Sequence, residues 1–361
     1  MFFELAVLIS CCYSLVLLWL IVGLLRLSRS RYSDQPFVSV IVAARNEEQN
    51  ISGLLDALKA QYYNPDDYEI LIIDDQSTDK TYELARAAGV RVFQTQKRDR
   101  VISPKKEALE LGIHHAKGDI ILLTDADCRP QPAWLHTMAS YFTSETGMVI
   151  GFAPYEFPHI HTLSQSLQAL ESLSLAAVAA GSAGMGYPAT CTGRNLAYRK
   201  EVYKKVGGFE SIKHFVSGDD DLLMSKIRHT HWKIRYADSP NAVVSTLFLK
   251  HTKQFIRQRL RHSSKSLNYD VKEIAGLVAA YLFNVFFFIS LPLVILEFWP
   301  VVCLLPLGIK IALDWILCFL FAHRMHRKAF LWSFVLAQVL HIPYVVIFGV
   351  LGPFSTIKWK E

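Results

Sequence analysis

Asp125 and Asp127 stand one residue apart at the end of I-I-L-L-T-D-A-D, Ile120–Asp127. Two carboxylates delivered by a buried strand suit a hard divalent cation that must also hold phosphate oxygens. Taken alone the pair is ambiguous, because acidic pairs also cap helices and occupy turns. Two more polar clusters, Ala44–Glu47 and Asp74–Asp79, follow apolar runs of the same kind. A further acidic run, Asp219-Asp220-Asp221, precedes L-L-M-S-K-I and offers either a general base or a helix cap.

The surrounding residues predict the elements that must position these groups. Val38–Ala43 reads as a buried strand, and Arg45-Asn46-Glu47-Glu48 opens a helix whose Ile51, Leu54, Leu55 and Leu58 share one face. Glu69–Ile73 is a second strand, Lys80–Ala88 a helix stopped by Gly89, and Arg91–Phe93 a short strand. Asp79 is expected to cap that helix and is left out of the site. Lys105–Ala116 is a helix and Ile120–Thr124 the strand that carries the acidic pair. Strands alternating with helices predict an α/β fold with a parallel, doubly wound sheet. In such sheets ligands lie beyond the carboxyl ends of the strands, where the polar clusters fall together.

The chain has 361 residues, 52% of them hydrophobic and unevenly spread. Leu5–Leu25 and Ile274–Leu296 carry no charge, and Val301–Ala322 and Phe330–Phe354 are also apolar. Each meets the length of about 20 residues that crosses a bilayer. An integral membrane protein is expected, with its soluble domain between the first two spans. The opening Met-Phe-Phe-Glu lacks the positive charge of a signal peptide, and Arg26, Arg29 and Arg31 follow the first span. A retained anchor with a cytoplasmic domain behind it fits that flank. The basic His323–Lys328 connection is placed on the same side, and a bacterial inner membrane is the expected location. Pro343 and Pro353 leave open whether the last segment crosses, re-enters or lies in the interface.

The six cysteines show no metal or disulfide spacing and fit a reducing compartment. The close histidine pairs, such as His229/His231, read as ordinary surface residues. A net charge of +6 suits juxtamembrane arginines near anionic lipid, not nucleic acid. Lys310 and Asp314, one helical turn apart within the third span, are read as a neutralising pair, with a polar wall for a lipid head group as the alternative. Ser164–Tyr187, rich in small residues, predicts a loosely packed helix too mild to span.

From about Val38 to Lys265 the residues resemble the family 2 glycosyltransferases, inverting enzymes with a GT-A fold. V-S-V-I-V-A-A-R-N-E-E resembles the first nucleotide-binding strand and turn, which brings Ala44, Arg45 and Glu47 to the donor. I-I-D-D-Q-S-T-D resembles the second, where Asp75 would contact uracil. P-K-K-E-A-L resembles the Lys-x-x-Ala-Leu element and places Lys105 near the diphosphate. T-D-A-D resembles the metal motif, with Asp127 as the ligand and Asp125 beside ribose or donor sugar and the metal. Aligning Leu222 with the leucine of the family's Glu-Asp-x-x-Leu puts the base at Asp219, and a slip of one residue puts it at Asp220. Gly193 and Asn195 resemble the turn below the acceptor, though a plain turn explains them nearly as well. Gln258-Arg259-Leu260-Arg261-His262 resembles the Gln-x-x-Arg-Trp motif of membrane members, in which Gln258 and Arg261 would hold diphosphate. His262 stands where the acceptor-stacking Trp is usual, which weakens the case for a processive polymerase. The same stretch, Lys250–Leu267, also reads as a basic interface helix.

The resemblance implies four segments: an anchor (1–31), a GT-A domain (32–249), an interface helix (250–272) and carboxyl-terminal transmembrane segments (273–361). It also implies transfer of one sugar from a nucleotide-sugar, a UDP-sugar first, to a lipid or lipid-linked acceptor, with Mg2+ or Mn2+. A processive polysaccharide synthase and an inactive nucleotide-sugar-binding scaffold are the competing readings.

Overall fold

The computed structural model describes residues 2–27, 35–96, 103–156, 162–248, 252–263 and 271–352. They form two units. One is α/β and draws on Leu27–Pro158 and Gly186–Phe248; the other draws on Met1–Arg26, His159–Met185 and Leu249–Ile357.

In chain order the strands are β1 (Val38–Ala44), β2 (Tyr68–Asp74), β3 (Arg91–Gln94), β4 (Ile120–Leu123), β5 (Cys128–Pro130), β6 (Thr146–Ile150), β7 (Tyr155–Glu156), β8 (Leu196–Arg199), β9 (Lys233–Tyr236) and β10 (Val244–Leu247). The helices are α1 (Phe2–Arg26), α2 (Ile51–Lys59), α3 (Thr81–Ala87), α4 (Pro104–His115), α5 (Trp134–Ala139), α6 (Leu163–Gly184), α7 (Lys200–Lys205), α8 (Asp221–Arg228), α9 (Thr252–Ser263), α10 (Val271–Ile295), α11 (Leu305–Arg324) and α12 (Phe334–Leu351).

The large sheet of the α/β unit runs β3-β2-β1-β4-β8-β6-β9. Its first half is parallel, as expected, because β1 pairs in parallel with both β2 and β4 and β2 with β3. The second half departs from the expected parallel sheet: β8 runs antiparallel to β4 and to β6. No crossover pattern beyond Asp127 was available to predict this reversal, and its effect is to turn the start of β8 toward the end of β4. Leu196 pairs with Leu123, so the turn before β8 lies at the same sheet edge as the acidic pair. A small second sheet, β5-β10-β7, continues from that edge.

Burial explains why these strands form. Val40, Ile41, Val42, Leu71, Ile72, Ile73 and Ile121 are wholly buried, the continuous apolar run of strands covered on both faces. Leu54, Leu55 and Leu58 bury the predicted face of α2. That helix starts later than its sequence signal, because Asn46 takes a left-handed conformation (φ 52°) and residues 45–48 form a loop. Asn46 is held there by Thr78, whose N–H donates to Asn46 Oδ1 at 2.9 Å.

Among the described residues of the other unit, four helices are long and apolar enough to cross a membrane: Val7–Arg26, Ile274–Ile295, Val301–Arg324 and Leu331–Leu351. α12 is continuous through Pro343. Lys310 is buried and donates to Asp314 (2.5 Å) and Gln338 (2.6 Å), while Tyr13 donates to Asp314 at 3.1 Å. The charged pair is thus neutralised within the helices, as its spacing predicted.

Two expectations are corrected in this unit. α6 is not loosely packed: a Cβ on Gly23 of α1 would lie 1.9 Å from the Gly181 carbonyl, so the two backbones touch through small residues. The Ala/Ser/Gly composition read as mild is what permits that approach. α6 groups with the membrane helices. Arg259 does not join a basic surface on α9. It is buried in an ion pair with Glu171 of α6 at 2.6 Å, and Tyr344 of α12 donates to the same carboxylate at 2.7 Å. A partner so distant in sequence gave no local signal.

Candidate active site

Lys105 ties the acidic pair to the acidic run. It sits in the first turn of α4, where the helix dipole disfavours a cation, so carboxylates must offset that position. Its Nζ donates to Asp125 Oδ1 at 3.0 Å and lies 3.3 Å from Asp219 Oδ2. Burial works against the ammonium, but Asp125, Asp219 and Asp220 outweigh it and hold the pKa above the usual lysine value. Lys105 therefore stays charged at any physiological pH. Its neighbour Lys106 points the other way, into the core, and donates to the carbonyls of Phe215 (2.6 Å) and Ser217 (2.7 Å). Two consecutive lysines thus do different work: one enters the site and the other anchors the loop that brings Asp219 to it.

Gly218 is required in that loop. Its φ of 90° is one that L side chains rarely adopt, and a Cβ there would lie 2.5 Å from Leu222. The glycine found where the family usually has Glu is therefore explained by local backbone shape. Asp220 is the N-cap of α8: its Oδ1 accepts from Asp221 N–H at 2.8 Å and its Oδ2 from Gly193 N–H at 3.0 Å. Within the acidic run, the helix cap is therefore Asp220.

Gly193 closes the site from the β8 side. A Cβ there would lie 3.2 Å from Asp219 Oδ2 and 3.6 Å from Lys105 Nζ. Asn195 is fully buried instead of facing a ligand. Its Oδ1 accepts from Trp134 Nε1 at 2.9 Å, and its Nδ2 donates to the carbonyls of Phe152 (2.8 Å) and Ala242 (2.7 Å). It holds the turn and leaves the pocket-facing position to Gly193.

At the far end of the same edge, Asp75 is buried, and its N–H donates to the Ala44 carbonyl at 2.8 Å, which joins the first two strand ends. Its Oδ1 accepts from Thr95 at 2.9 Å. Among the described residues its Oδ2 has no hydrogen-bond donor, with the Arg45 guanidinium 3.5 Å away. A buried acceptor left open is costly unless a ligand N–H fills it. The Glu47 N–H donates to Thr81 and its carboxylate accepts from Asn50 at 2.7 Å, fixing the entry to α2. Asp79 caps α3 as expected, accepting from Thr81 N–H at 3.0 Å.

Asp127 accepts from Thr246 of β10 at 3.3 Å. Asp125 and Asp127 present only oxygen ligands, which fits a hard divalent ion. Among the described residues no group of three His, Cys, Asp or Glu side chains could enclose a metal. Any ion held by these two carboxylates would take its remaining ligands from phosphate and water. Burial, then Asp127 and Asp125, push the Cys128 thiol above its usual range, so this neighbour stays protonated and is no nucleophile.

Residues 39–207 match the family described as Glycosyl transferase family 2. They form a family 2 glycosyltransferase domain. Among relatives, Glycosyltransferase AglE of Haloferax volcanii is 31% identical over 57% of this chain and 63% of its own length. Undecaprenyl-phosphate 4-deoxy-4-formamido-L-arabinose transferase of Edwardsiella ictaluri is 32% identical over 28% of this chain and 33% of its own. The chain thus spans less than two thirds of either relative. Among solved structures, the mannosyltransferase PcManGT from Pyrobaculum calidifontis, in complex with GDP-Man and Mn2+, has a TM-score of 0.57 at 17% identity. That match covers 98% of this chain and 99% of that one, and it establishes a shared GT-A fold.

The glycosyltransferase domain brings together Ala44, Arg45 and Asp75 at one end of the sheet edge, and Lys105, Asp125, Asp127, Gly193, Asp219 and Asp220 at the other. Gln258 lies on α9 in the second unit, half-buried. Arg261 and His262 also lie on α9, and their side chains fall outside the described residues.

Sequence reading missed Lys106, Thr246 and Arg194. The doubled lysine was visible but did not reveal which member faces the core. Arg194 lies in the turn between Gly193 and Asn195, where its neighbours give no local signal of a role. Its guanidinium lies over the Tyr155 ring, 5.5 Å from the centroid, on a strand unrelated to it in sequence.

Proposed function

We propose that this chain is a membrane glycosyltransferase that moves one sugar, with inversion, from a nucleotide-sugar to a lipid or lipid-linked acceptor. The observation that carries the reading is the Lys105 bridge between Asp125 (3.0 Å) and Asp219 (3.3 Å). It gathers the metal motif, a fixed cation and a carboxylate at the one sheet edge where a nucleotide would lie.

In this reading Asp75 Oδ2 accepts a ring N–H of the base, which either uracil or guanine supplies. The second strand end resembles UDP-sugar members, so a UDP-sugar is the first donor to try. Asp125 and Asp127 would hold a divalent cation, which would neutralise charge on the departing diphosphate. Lys105 stabilises the same charge without giving up a proton. Asp219 takes the proton of the acceptor hydroxyl as its oxygen attacks the anomeric carbon and the carbon–phosphate-oxygen bond breaks. Displacement in a single step requires no protein nucleophile. Gly193 leaves room for the acceptor beside Asp219.

The four membrane-length helices support an acceptor carried in lipid, and so does the lipid phosphate in the name of the Edwardsiella relative. Asp127→Ala tests the donor site. Titration calorimetry with UDP-sugars and GDP-sugars should show Mn2+- or Mg2+-dependent binding to the wild type, weakened at least about tenfold in the variant. Unchanged metal-dependent binding would remove Asp127 as a ligand.

A further inference from the structure

Arg194 has no part in the chemistry above, yet it is built into the site. It follows Gly193, the residue packed against Asp219 and Lys105. Its Nε donates to Thr192 Oγ1 at 3.4 Å, and its guanidinium rests on the ring of Tyr155. Tyr155 is the register partner of Thr246, whose hydroxyl holds Asp127. A ring contact, a hydroxyl and a strand pairing thus set the guanidinium over Tyr155, beside the strand whose Thr246 holds Asp127.

Two fixed cations therefore attend the acidic pair, Lys105 at Asp125 and Arg194 on the Asp127 side. For a lone divalent ion the arrangement is poor. The carboxylates that attract it are already charge-compensated, and both fixed cations repel it. A diphosphate reverses the balance, because its oxygens attract the ion, the ammonium and the guanidinium together. We propose that Arg194 couples the two ligands, so that divalent-cation binding at Asp125 and Asp127 depends on the nucleoside diphosphate. The inference rests on the donor-site reading, and it adds that free metal does not load the site ahead of the nucleotide.

Such coupling is reciprocal and is measured as a ratio of affinities. The experiment is Mn2+ titration of the purified full chain in nanodiscs, followed by loss of the free-Mn2+ paramagnetic resonance signal, alone and with UDP or GDP. The wild type should bind Mn2+ more tightly by on the order of tenfold or more when one nucleotide is present. Arg194→Gln should raise the affinity for Mn2+ alone and shrink that ratio, while Arg194→Lys, which keeps the charge, should preserve most of it. Arg194→Met keeps an apolar stem on Tyr155 and serves as a second uncharged variant should the glutamine fail to fold. A full coupling ratio in the uncharged variants would overturn the inference and leave the donor site standing. Weaker binding of Mn2+ alone in those variants would overturn it too, by making Arg194 a support for Asp127. If the wild type bound Mn2+ under neither condition, the metal-dependent reading itself would fall, and this inference with it.

Discussion

Asp219 and Asp220 differ in what already occupies their oxygens. Asp220 accepts from two backbone N–H groups, at 2.8 and 3.0 Å, whereas Asp219 meets the Lys105 ammonium. Asp219→Asn should therefore lower kcat by about 10²–10⁴-fold with the donor KM little changed, as expected for loss of a general base. Asp220→Asn should act mainly on stability, by roughly 1 kcal/mol through the weakened cap. Steady-state kinetics and thermal unfolding of both variants separate the two. The proposed assignment of the base to Asp219 rests on this occupancy, which no spacing of three aspartates reveals. Asn195 makes the opposite case, a polar residue expected at a ligand and found saturated by protein. Asn195→Ala would strand the Trp134 N–H and the Ala242 carbonyl, while the Phe152 carbonyl keeps the Val244 N–H at 3.1 Å. It should cost about 2–3 kcal/mol in thermal unfolding, since unmet buried groups cost roughly 1–3 kcal/mol each. Lys105 and Asp125 were legible because motif and chemistry coincide. Arg194 was not, because Tyr155, the ring it lies over, belongs to a strand distant from it in sequence.

At the scale of elements, the parallel half of the sheet was readable because each strand is a buried apolar run followed by a polar end. The antiparallel β8 was not readable, since its neighbours β4 and β6 are set by tertiary pairing. Helix ends were readable where a signal is local, as at Gly89 (φ 72°), and were misread at Asn46, which depends on Thr78. Glu69 shows how side chains join these elements. It accepts from Ser39 Oγ at 2.6 Å and Lys117 N–H at 2.5 Å, and it pairs with Arg91. Burial raises its pKa, but the bonds from Ser39, Lys117 and Arg91 outweigh that and hold it below the ordinary 4.5. A depressed folded-state pKa means the contribution is full above about pH 4.5 and is lost as pH falls through the lower folded value. The thermal midpoint of the wild type should exceed that of Glu69→Gln at pH 7, and the gap should close below pH 4.5. A gap independent of pH would mean that shape, not charge, makes the junction.

At the scale of the molecule, composition announced the membrane helices and the polar strand ends announced the α/β domain. Their division was only partly legible. α6 falls between two stretches of the α/β unit in sequence, yet it packs on α1 through Gly23, Gly181 and Gly184. Small residues gave no transmembrane signal, and their use as a backbone contact appears only with the partner helix. The central claim is that Lys105, Asp125, Asp127 and Asp219 form one transferase site serving a lipid-borne acceptor. The most direct test is nucleotide release by the full chain in lipid nanodiscs. A panel of UDP-sugars and GDP-sugars would be offered with Mn2+ or Mg2+ and an extracted membrane-lipid fraction, with Asp219→Asn alongside. Release from one donor that requires the lipid fraction and disappears in the variant is the predicted result. Equal release by wild type and Asp219→Asn, or metal-dependent donor binding with no release in any lipid, would contradict it.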